Sequence, residues 1–476
     1  MHCNIAVIFL ALAALLAAAG GSRAATPATD SPTTSIGDAV AIAKPVAADT
    51  AAKKSGSKGP LAPLARRLAD QGIYLRANLV NQYADATTGG VTQGHTNVGQ
   101  FNVGADIDLG RMWGVTGGSF HFTVYRDYGN GLNHDLSGTF FKQQYIYKNQ
   151  YPRWHLGLFA YEQKALDDRL DIVVGRLGAT SYYGHLVTNC QFQAGVMCGP
   201  RELSAEAGLS LMPSATWGTN VRYRPTPHTY VEAGVFEVNP TTSASNGLDF
   251  SIADSTGVTV PFEVGYAKTN LATVRYPFEL KIGGFVSNAP RTDPFYNAAG
   301  LSRGLHGGSG REVDSKRDGV YLMGDRVLWR PNPLRDERIT AFAGIVQQLE
   351  ETEIMRQQIY TGLVWTGPFG GRPHDTIGLL ASYFELTPRE VEYLRDARIK
   401  AGGSGSNNPR ETTFELNYGV QLMRGVVLMP NVQYTIHPDN SGIPKTRVLP
   451  KNLFVLGLDL NINLGKALGF IGQPRN

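Results

Sequence analysis

Apolar and polar residues alternate strictly along many runs of about ten residues in this chain. The last run has an apolar face of Phe454, Leu456, Leu458, Leu460, Ile462 and Leu464, and a polar face that includes Asp459, Asn461 and Asn463. A tilted strand that crosses a membrane needs about 9–11 residues of this period. A strand of a soluble sheet usually ends after about five or six residues. The alternation therefore predicts membrane-spanning strands.

Sixteen such strands can be placed, and they predict an all-β fold, a closed antiparallel transmembrane β-barrel. A strand in lipid cannot leave its backbone unpaired, so the sheet must close, and about sixteen strands enclose a water-filled channel. The predicted strands are 73–83, 99–109, 118–127, 153–165, 170–178, 215–224, 229–238, 258–268, 277–287, 319–330, 338–347, 357–366, 375–385, 411–422, 426–437 and 451–464.

The links between these strands are alternately long and short. Short periplasmic turns and long extracellular loops are typical of outer-membrane barrels, and an even strand number returns both termini to the periplasm. The long links are 84–98, 128–152, 179–214, 239–257, 288–318, 348–356, 386–410 and 438–450.

Composition fits a barrel better than the other classes of protein. The 476 residues are 42% hydrophobic and include 55 glycines, which is too polar for a helical membrane protein. The net charge is only +4, and no run of Lys and Arg indicates nucleic-acid binding.

The N-terminal segments predict export and a tether before the barrel. Residues 5–19 are apolar but too short to span a bilayer, and Ser22-Arg23-Ala24 offers small residues for cleavage, which predicts a signal peptide over 1–24 despite an n-region without Lys or Arg. Residues 25–59 read as a flexible periplasmic linker, and 60–476 as the barrel domain. Leu61, Leu64 and Leu68 recur at helical spacing and predict a short amphipathic helix.

Two cysteines remain once Cys3 leaves with the signal peptide. Cys190 and Cys198 lie in the longest predicted loop, 179–214. In an exported protein an isolated pair favours a disulfide. Zinc binding is the alternative, although no set of paired His and Cys residues accompanies them.

Strand parity sorts side chains between lipid and lumen. An Arg facing lipid at mid-bilayer costs roughly 2–4 kcal/mol, so charged residues within strands are expected to line the pore. Any pore wall is polar because water touches it, yet charges of both signs beside aromatic rings suit a neutral polyhydroxylated solute better than phosphate. The residues assigned to the lumen are Arg76, Asp106, Asp108, His121, Tyr125, Arg222, Arg224, Glu263, Glu279 and Lys281.

Arg176 is assigned to the pore-lining set on its position before a long loop rather than on strand parity. Gly175-Arg176 directly precedes the longest loop, and in general porins a similar step precedes the loop that narrows the barrel. Strict parity groups Arg176 with Ile172 and Val174 on the lipid face, whereas a bulge or the strand end would turn it inward.

No metal-binding or phosphate-binding motif is present. His-Glu-x-x-His and phosphate-loop patterns are missing, and the ten histidines have no metal-ligand spacing. The segment 389–395 is helix-like but falls in an outside loop. We therefore expect neither an enzyme nor a bound metal or cofactor.

The order of several short motifs resembles the carbohydrate-selective porin family of the OprB type. The resemblance runs from about residue 60 to the end, and it implies a sixteen-stranded barrel with a charged constriction that takes up monosaccharides, glucose being the usual example. The final residues, Gly472 to Asn476, lack the terminal aromatic of many barrels, for which Phe470 is the nearest substitute. The motifs are Leu68-Ala69-Asp70-Gln71-Gly72-Ile73, Asp106-Ile107-Asp108-Leu109, Tyr161-Glu162-Gln163, Gly175-Arg176-Leu177, Pro213-Ser214-Ala215-Thr216-Trp217-Gly218, Val238-Asn239-Pro240, Gly371-Arg372-Pro373-His374-Asp375 and Pro430-Asn431-Val432-Gln433-Tyr434 through His437-Pro438.

The sequence thus predicts a passive carbohydrate channel of the bacterial outer membrane, with small sugars as permeating solutes and lipid around the barrel. A general or anion-preferring porin is the first alternative. An outer-membrane enzyme and a soluble secreted β-protein are two further alternatives. Association into a homo-oligomer is left open.

Overall fold

Sixteen strands hydrogen-bond side by side around a closed ring in the computed structural model of the chain. The structure describes residues 59–132, 136–146, 154–195, 207–210, 213–242, 245–313 and 316–470. All pairs in the ring are antiparallel, and the last strand pairs with the first. The predicted fold and strand number are confirmed. The predicted signal peptide and all but the last residue of the predicted linker lie outside the described residues.

The barrel strands follow chain order except at one point, where a hairpin leaves the wall. That hairpin, β10 (Arg291–Asn297) with β11 (Gly310–Val313), sits in an extracellular loop, so β12 (Arg317–Trp329) pairs with β9 (Phe278–Ser287). The barrel strands are β1 Ile73–Gly90, β2 Gly94–Asp108, β3 Gly118–Gly129, β4 His155–Ala165, β5 Leu170–Leu177, β6 Thr216–Thr226, β7 Thr229–Val238, β8 Gly257–Lys268, β9 Phe278–Ser287, β12 Arg317–Trp329, β13 Arg338–Gln348, β14 Met355–Thr366, β15 Thr376–Leu386, β16 Arg410–Met423, β17 Val426–Ile436 and β18 Lys451–Asn463.

Apolar side chains cover the outside of the wall, and polar ones fill the inside. On β18, Leu456 and Leu458 are 44% and 39% exposed, whereas Asp459 and Asn461 are 0% and 4% exposed. This is the reverse of a soluble protein and the arrangement that lipid requires. No helix among the described residues is long and apolar enough to cross a membrane.

The first predicted loop, 84–98, is wrong in extent. β1 and β2 continue through it as a paired ladder with Asp85 opposite His95, and only 91–93 separate the two strands. Gly89 and Gly90 adopt φ of 80° and 65° beside the turn, a backbone region that glycine enters without strain. The residues that extend the strands are mostly polar, so the apolar alternation could not reveal them.

Five short α-helices accompany the barrel among the described residues, besides two 3-10 helices at Ala179–Ser181 and Val187–Gln191. The predicted N-terminal helix is confirmed, but it buries its alanines (Ala62, Ala65 and Ala69) and leaves Leu64 47% exposed. The helix-like segment 389–395 lies inside a longer helix that begins at Pro388. The helices are α1 Ala62–Asp70, α2 Leu109–Trp113, α3 Arg303–His306, α4 Pro388–Lys400 and α5 Leu464–Leu468.

We expect Leu456→Arg to impair barrel assembly, because Leu456 lies on the outward face of β18. Near the bilayer midplane the substitution costs about 2–4 kcal/mol. The loss should appear as a reduced fraction of the heat-modifiable, folded species on an unheated gel. Leu456→Ile is the matched control and should assemble normally. Equal assembly of the Arg variant would mean that the two faces of β18 are assigned the wrong way round.

Candidate functional site

The chain that follows β5 turns into the barrel and crosses its interior. This segment, residues 179–195, is called the crossing loop. Gly184 N donates to Glu263 Oε2 of β8 (2.9 Å), and Thr188 donates to Asp325 of β12 (2.9 Å). At the far side Gln193 N and Ala194 N donate to the two carboxylate oxygens of Glu415 on β16 (3.0 and 2.6 Å). The crossing loop therefore spans the lumen from one wall to the other and narrows it.

A second inward segment, residues 136–146, lies against the crossing loop. Gln144 donates to the carbonyl of Gln82 on β1 (2.8 Å), and Gln433 of β17 donates to the carbonyl of Gln143 (2.9 Å). Gly195 N donates to the carbonyl of Lys142 (2.6 Å), which joins the two inward segments.

Aromatic side chains fix both segments to the inner wall. Phe141 packs edge-on against Phe384 of β15 with ring centroids 4.3 Å apart, and Phe192 meets Phe342 of β13 at 5.6 Å. These rings belong to one buried apolar cluster inside the barrel. The constriction thus rests on a packed support, which limits how far it can move.

A chain of charged groups runs along the inside of β1 to β4. Arg76 Nε lies 2.9 Å from Asp106, whose other oxygen is 2.7 Å from His121 Nδ1. His121 Nε2 is 3.1 Å from Glu162 on β4. Sequence parity indicated Arg76, Asp106 and His121, and the structure brings these three residues together. It missed Glu162.

A second charged group occupies β6 to β12 under the crossing loop. Arg222 pairs with Glu232 of β7 at 2.6 Å and lies over the Tyr230 ring at 4.7 Å. Glu263 accepts hydrogen bonds from Tyr230 (2.5 Å) and Tyr321 (2.7 Å). The adjacent ion pair of this group, Lys281 with Glu279, spans 3.4 Å. The carboxylates hold the cations and phenols in fixed orientations.

A cavity opens beside this group toward the periplasmic turns. Four residues of the predicted lining set share it: Arg222, Arg224, Glu279 and Lys281. Tyr230 and the turn residues Pro227 and His228 complete that side of the wall. Tyr125, also predicted, is fully buried in the aromatic support inside the barrel.

Asp108 does not project into the lumen as predicted. It ends β2, and its carboxylate caps α2 by accepting from Arg111 N at 3.0 Å. Asp is a favoured capping residue because its side chain satisfies an N–H group that has no partner within the helix. At the end of a strand, parity no longer fixes the direction of a side chain.

Arg176 lies on the outer face of the wall. Its cross-strand partners are Phe159 and Trp217, and Phe159 is 37% exposed on the outside. The guanidinium donates to the carbonyls of Asp249 (2.9 Å) and Ala215 (2.8 Å), and the loop that carries Asp249 covers it. The lipid-face parity was therefore correct, and the assignment of Arg176 to the pore lining was wrong. Because the loop covers the guanidinium and accepts its hydrogen bond, a charged side chain can occupy the outer face of the wall here.

Cys190 is disulfide-bonded and lies in the crossing loop. Cys198 lies outside the described residues, so the pairing of Cys190 with Cys198 stays a prediction. Among the described residues no group of three His, Cys, Asp or Glu side chains could hold a metal ion.

His185 makes the crossing loop sensitive to acid. Burial and the nearby charge of Lys281 lower the pKa of His185 to about 4, from an ordinary value of 6.5. The folded state therefore favours neutral His185. Its contribution to stability is complete above pH 6.5 and is lost as the pH falls toward 4.

We accordingly expect His185→Gln to reduce the fall in melting temperature between pH 7 and pH 4, since glutamine takes up no proton. The exposed His95, changed to Gln, provides the control and should leave that fall unchanged. An identical acid sensitivity in the wild type and in His185→Gln would show that this imidazole does not couple proton uptake to folding. Thermal unfolding at a series of pH values gives the measurement.

Comparison with known proteins places these features in a family context. The model of the family described as "Carbohydrate-selective porin, OprB family" matches residues 92–464. Porin B of Pseudomonas aeruginosa is 26% identical over 376 residues, which cover 76% of this chain and 80% of the relative. QuiX of Acinetobacter baylyi is also 26% identical, over 84% of this chain and 90% of its own length. The high-pH structure of Pseudomonas putida OprB superimposes with a TM-score of 0.73 at 23% identity, covering 83% of this chain and 95% of that one.

Proposed function

Because this chain belongs to the carbohydrate-selective porin family of the OprB type, we propose that its inner charged wall selects small neutral sugars during passive diffusion. The protein is a carbohydrate channel of the bacterial outer membrane. Sugars such as monosaccharides pass the constriction that the crossing loop forms in the lumen, where they exchange water for contacts with fixed polar groups.

The pairing of charges inside the barrel is the observation that carries this proposal. Arg222 is bound to Glu232, and Lys281 is bound to Glu279. Paired cations attract free anions weakly, yet they still offer N–H donors beside carboxylate acceptors. A sugar hydroxyl is donor and acceptor at once, so such pairs match it.

A general or anion-preferring porin is the second candidate, favoured by the cavity itself. Its lining holds Arg222, Arg224 and Lys281 against the single carboxylate Glu279. An anion-preferring channel would use this local excess of positive charge. Glu232 and Glu263 directly behind the lining argue for the neutral solute.

Several further assignments complete the proposal. We assign pore-lining roles to Arg76, Asp106, His121, Arg222, Arg224, Glu263, Glu279 and Lys281, and a supporting role inside the barrel to Tyr125. We assign lipid contact to the outward apolar faces, and a barrel domain to 60–476, after a signal peptide over 1–24 and a linker over 25–59. Family and fold indicate a channel rather than an enzyme. The oligomeric state is left unassigned.

Swelling of liposomes that contain the purified protein tests the solute class. Glucose and other monosaccharides should enter several times faster than zwitterionic amino acids of equal size. Reversal potentials in a salt gradient should show weak ion selectivity. Equal entry of sugars and amino acids would indicate a general porin, and a strong preference for chloride would indicate the anion channel.

A further inference from the structure

Three buried polar atoms that lack a hydrogen-bond partner lie in one region beneath the crossing loop, at the inner wall of β5 and β6. They are the phenol oxygen of Tyr182, Oδ1 of Asp171 and Nη2 of Arg224. Each atom is buried, and Arg224 as a whole is only 5% exposed. A buried polar atom without a partner costs free energy, so three such atoms in one region indicate a place where a ligand supplies hydrogen bonds.

Strand register brings Asp171 and Arg224 close together. Asp171 lies directly opposite Arg222, and Arg224 is the next inward-facing residue on the same strand. Residues in this diagonal relation are within reach of each other's long side chains. Arg224 also lines the cavity that opens toward the periplasmic turns, so this member of the group borders space that a solute can enter.

Tyr182 enters the same region from the crossing loop. Its neighbour Tyr183 hydrogen-bonds to Asn220, which precedes Arg222 by one inward position on β6. The Tyr182 ring packs 6.5 Å from the Phe236 ring of β7. Burial raises the pKa of the Tyr182 phenol well above 10, and the carboxylates of Glu162, Asp171 and Glu232 act in the same direction. The phenol therefore keeps its proton and lies among these acids.

We propose that Tyr182, Asp171 and Arg224 form a hydroxyl-binding subsite for a neutral polyol, at the periplasmic side of the crossing loop. The three groups offer a hydroxyl that both donates and accepts, a carboxylate that accepts, and a guanidinium that donates. Two adjacent hydroxyls of a sugar can engage the Asp171 and Arg224 groups together, while Tyr182 contacts a third. Glu162 and Asp171 disfavour an anionic ligand at this position.

This inference rests on the proposed function, because it needs sugars to enter the channel. Single-channel recordings in a planar bilayer provide the test, with glucose added in steps and the block of ion current used to obtain an apparent affinity. Tyr182→Phe, Asp171→Asn and Arg224→Gln should each weaken the block by about fivefold to tenfold, the effect of losing one hydrogen bond. Tyr383→Phe deletes the same hydroxyl from an outward-facing side chain that is not in the lumen, and it should leave the block unchanged.

The outcomes separate the two levels of the proposal. If glucose fails to block the wild-type channel, the sugar-selective function is wrong and the subsite falls with it. If glucose blocks the wild type and Tyr182→Phe equally, the function stands and the subsite is overturned. Tyr182→Phe removes a single oxygen atom and should fold, which heat modifiability checks. Should Asp171→Asn misfold, the Tyr182 and Arg224 variants still decide the question.

Discussion

Arg176→Ala is expected to destabilise the barrel strongly and to leave ion selectivity unchanged. The substitution removes both donors that hold the carbonyls of Asp249 and Ala215, and it removes a cation stacked on Trp217 and Phe250 at 6.0 and 5.6 Å. The buried carbonyl of Ala215 loses its partner, which costs about 1–3 kcal/mol. The temperature at which the folded band converts to the unfolded band on a gel should fall by many degrees.

The position of Arg176 explains why a large effect is expected. β5 is the shortest of the barrel strands among the described residues, and it ends at Leu177, where the chain turns inward. Beyond that point Leu156 N of β4 donates to the carbonyl of Asn246 instead (2.9 Å), so the loop after β7 fills the gap in the wall. Arg176 fastens this loop where β5 ends.

Two controls accompany the Arg176 experiment. Arg176→Lys keeps the charge but lacks the planar fork that reaches two carbonyls, so it should recover only part of the stability. Arg126→Ala removes an exposed arginine from β3 and should change stability by about 0.5 kcal/mol or less. Normal stability of Arg176→Ala together with altered ion selectivity would return Arg176 to the pore lining.

The fold could be predicted from the sequence because lipid imposes the same rule on every strand. Outward residues must be apolar wherever the wall meets hydrocarbon, so the period of two survives along all sixteen barrel strands. Where the wall rises beyond the lipid the rule no longer holds. The extension of β1 and β2 through Asp85 and His95 was missed for that reason.

The inner wall was predictable only within the strands. Parity indicated Arg222 and Glu263 correctly as inward residues, but it did not indicate which carboxylate pairs with Arg222. Its carboxylate partner is Glu232. Counting back from the short turn at 225–228 would place Val231 opposite Arg222, because the observed pairing with Glu232 depends on a register shift between Tyr223 and Thr226. Parity says nothing at strand ends, which is why Asp108 was misplaced.

Contacts between the crossing loop and the distant wall could not be predicted. Gln193 and Ala194 donate hydrogen bonds to Glu415, which lies more than two hundred residues later in the sequence. No local sequence pattern predicts a contact between residues so far apart. Tyr182 was missed for the same reason, because a loop has no period that assigns its side chains to a face. The sequence therefore indicates the barrel wall, whereas tertiary packing decides the constriction.

We expect Glu415→Leu to widen the channel. Both carboxylate oxygens of Glu415 accept backbone N–H groups of the crossing loop, and the side chain is 1% exposed. Hydrogen bonds to a charged group contribute about 1.5–3 kcal/mol each. Losing two of them weakens the attachment of the loop by about 3 kcal/mol or more, which raises the population of the detached loop about a hundredfold. Single-channel conductance should rise and become noisier, and sucrose should enter liposomes faster.

Glu415→Gln separates loop attachment from charge at this position. Its amide oxygen still accepts one of the two N–H groups, so its conductance should lie between those of the wild type and Glu415→Leu. If the effect came from the lost charge alone, the Gln and Leu variants would have equal conductance and altered ion selectivity.

A folded Glu415→Leu barrel with wild-type conductance would mean that the crossing loop does not limit passage. In that case the limiting section would lie at the segment 136–146, whose Gln143 carbonyl is held by Gln433, and Gln433→Leu would then be the variant that widens the channel.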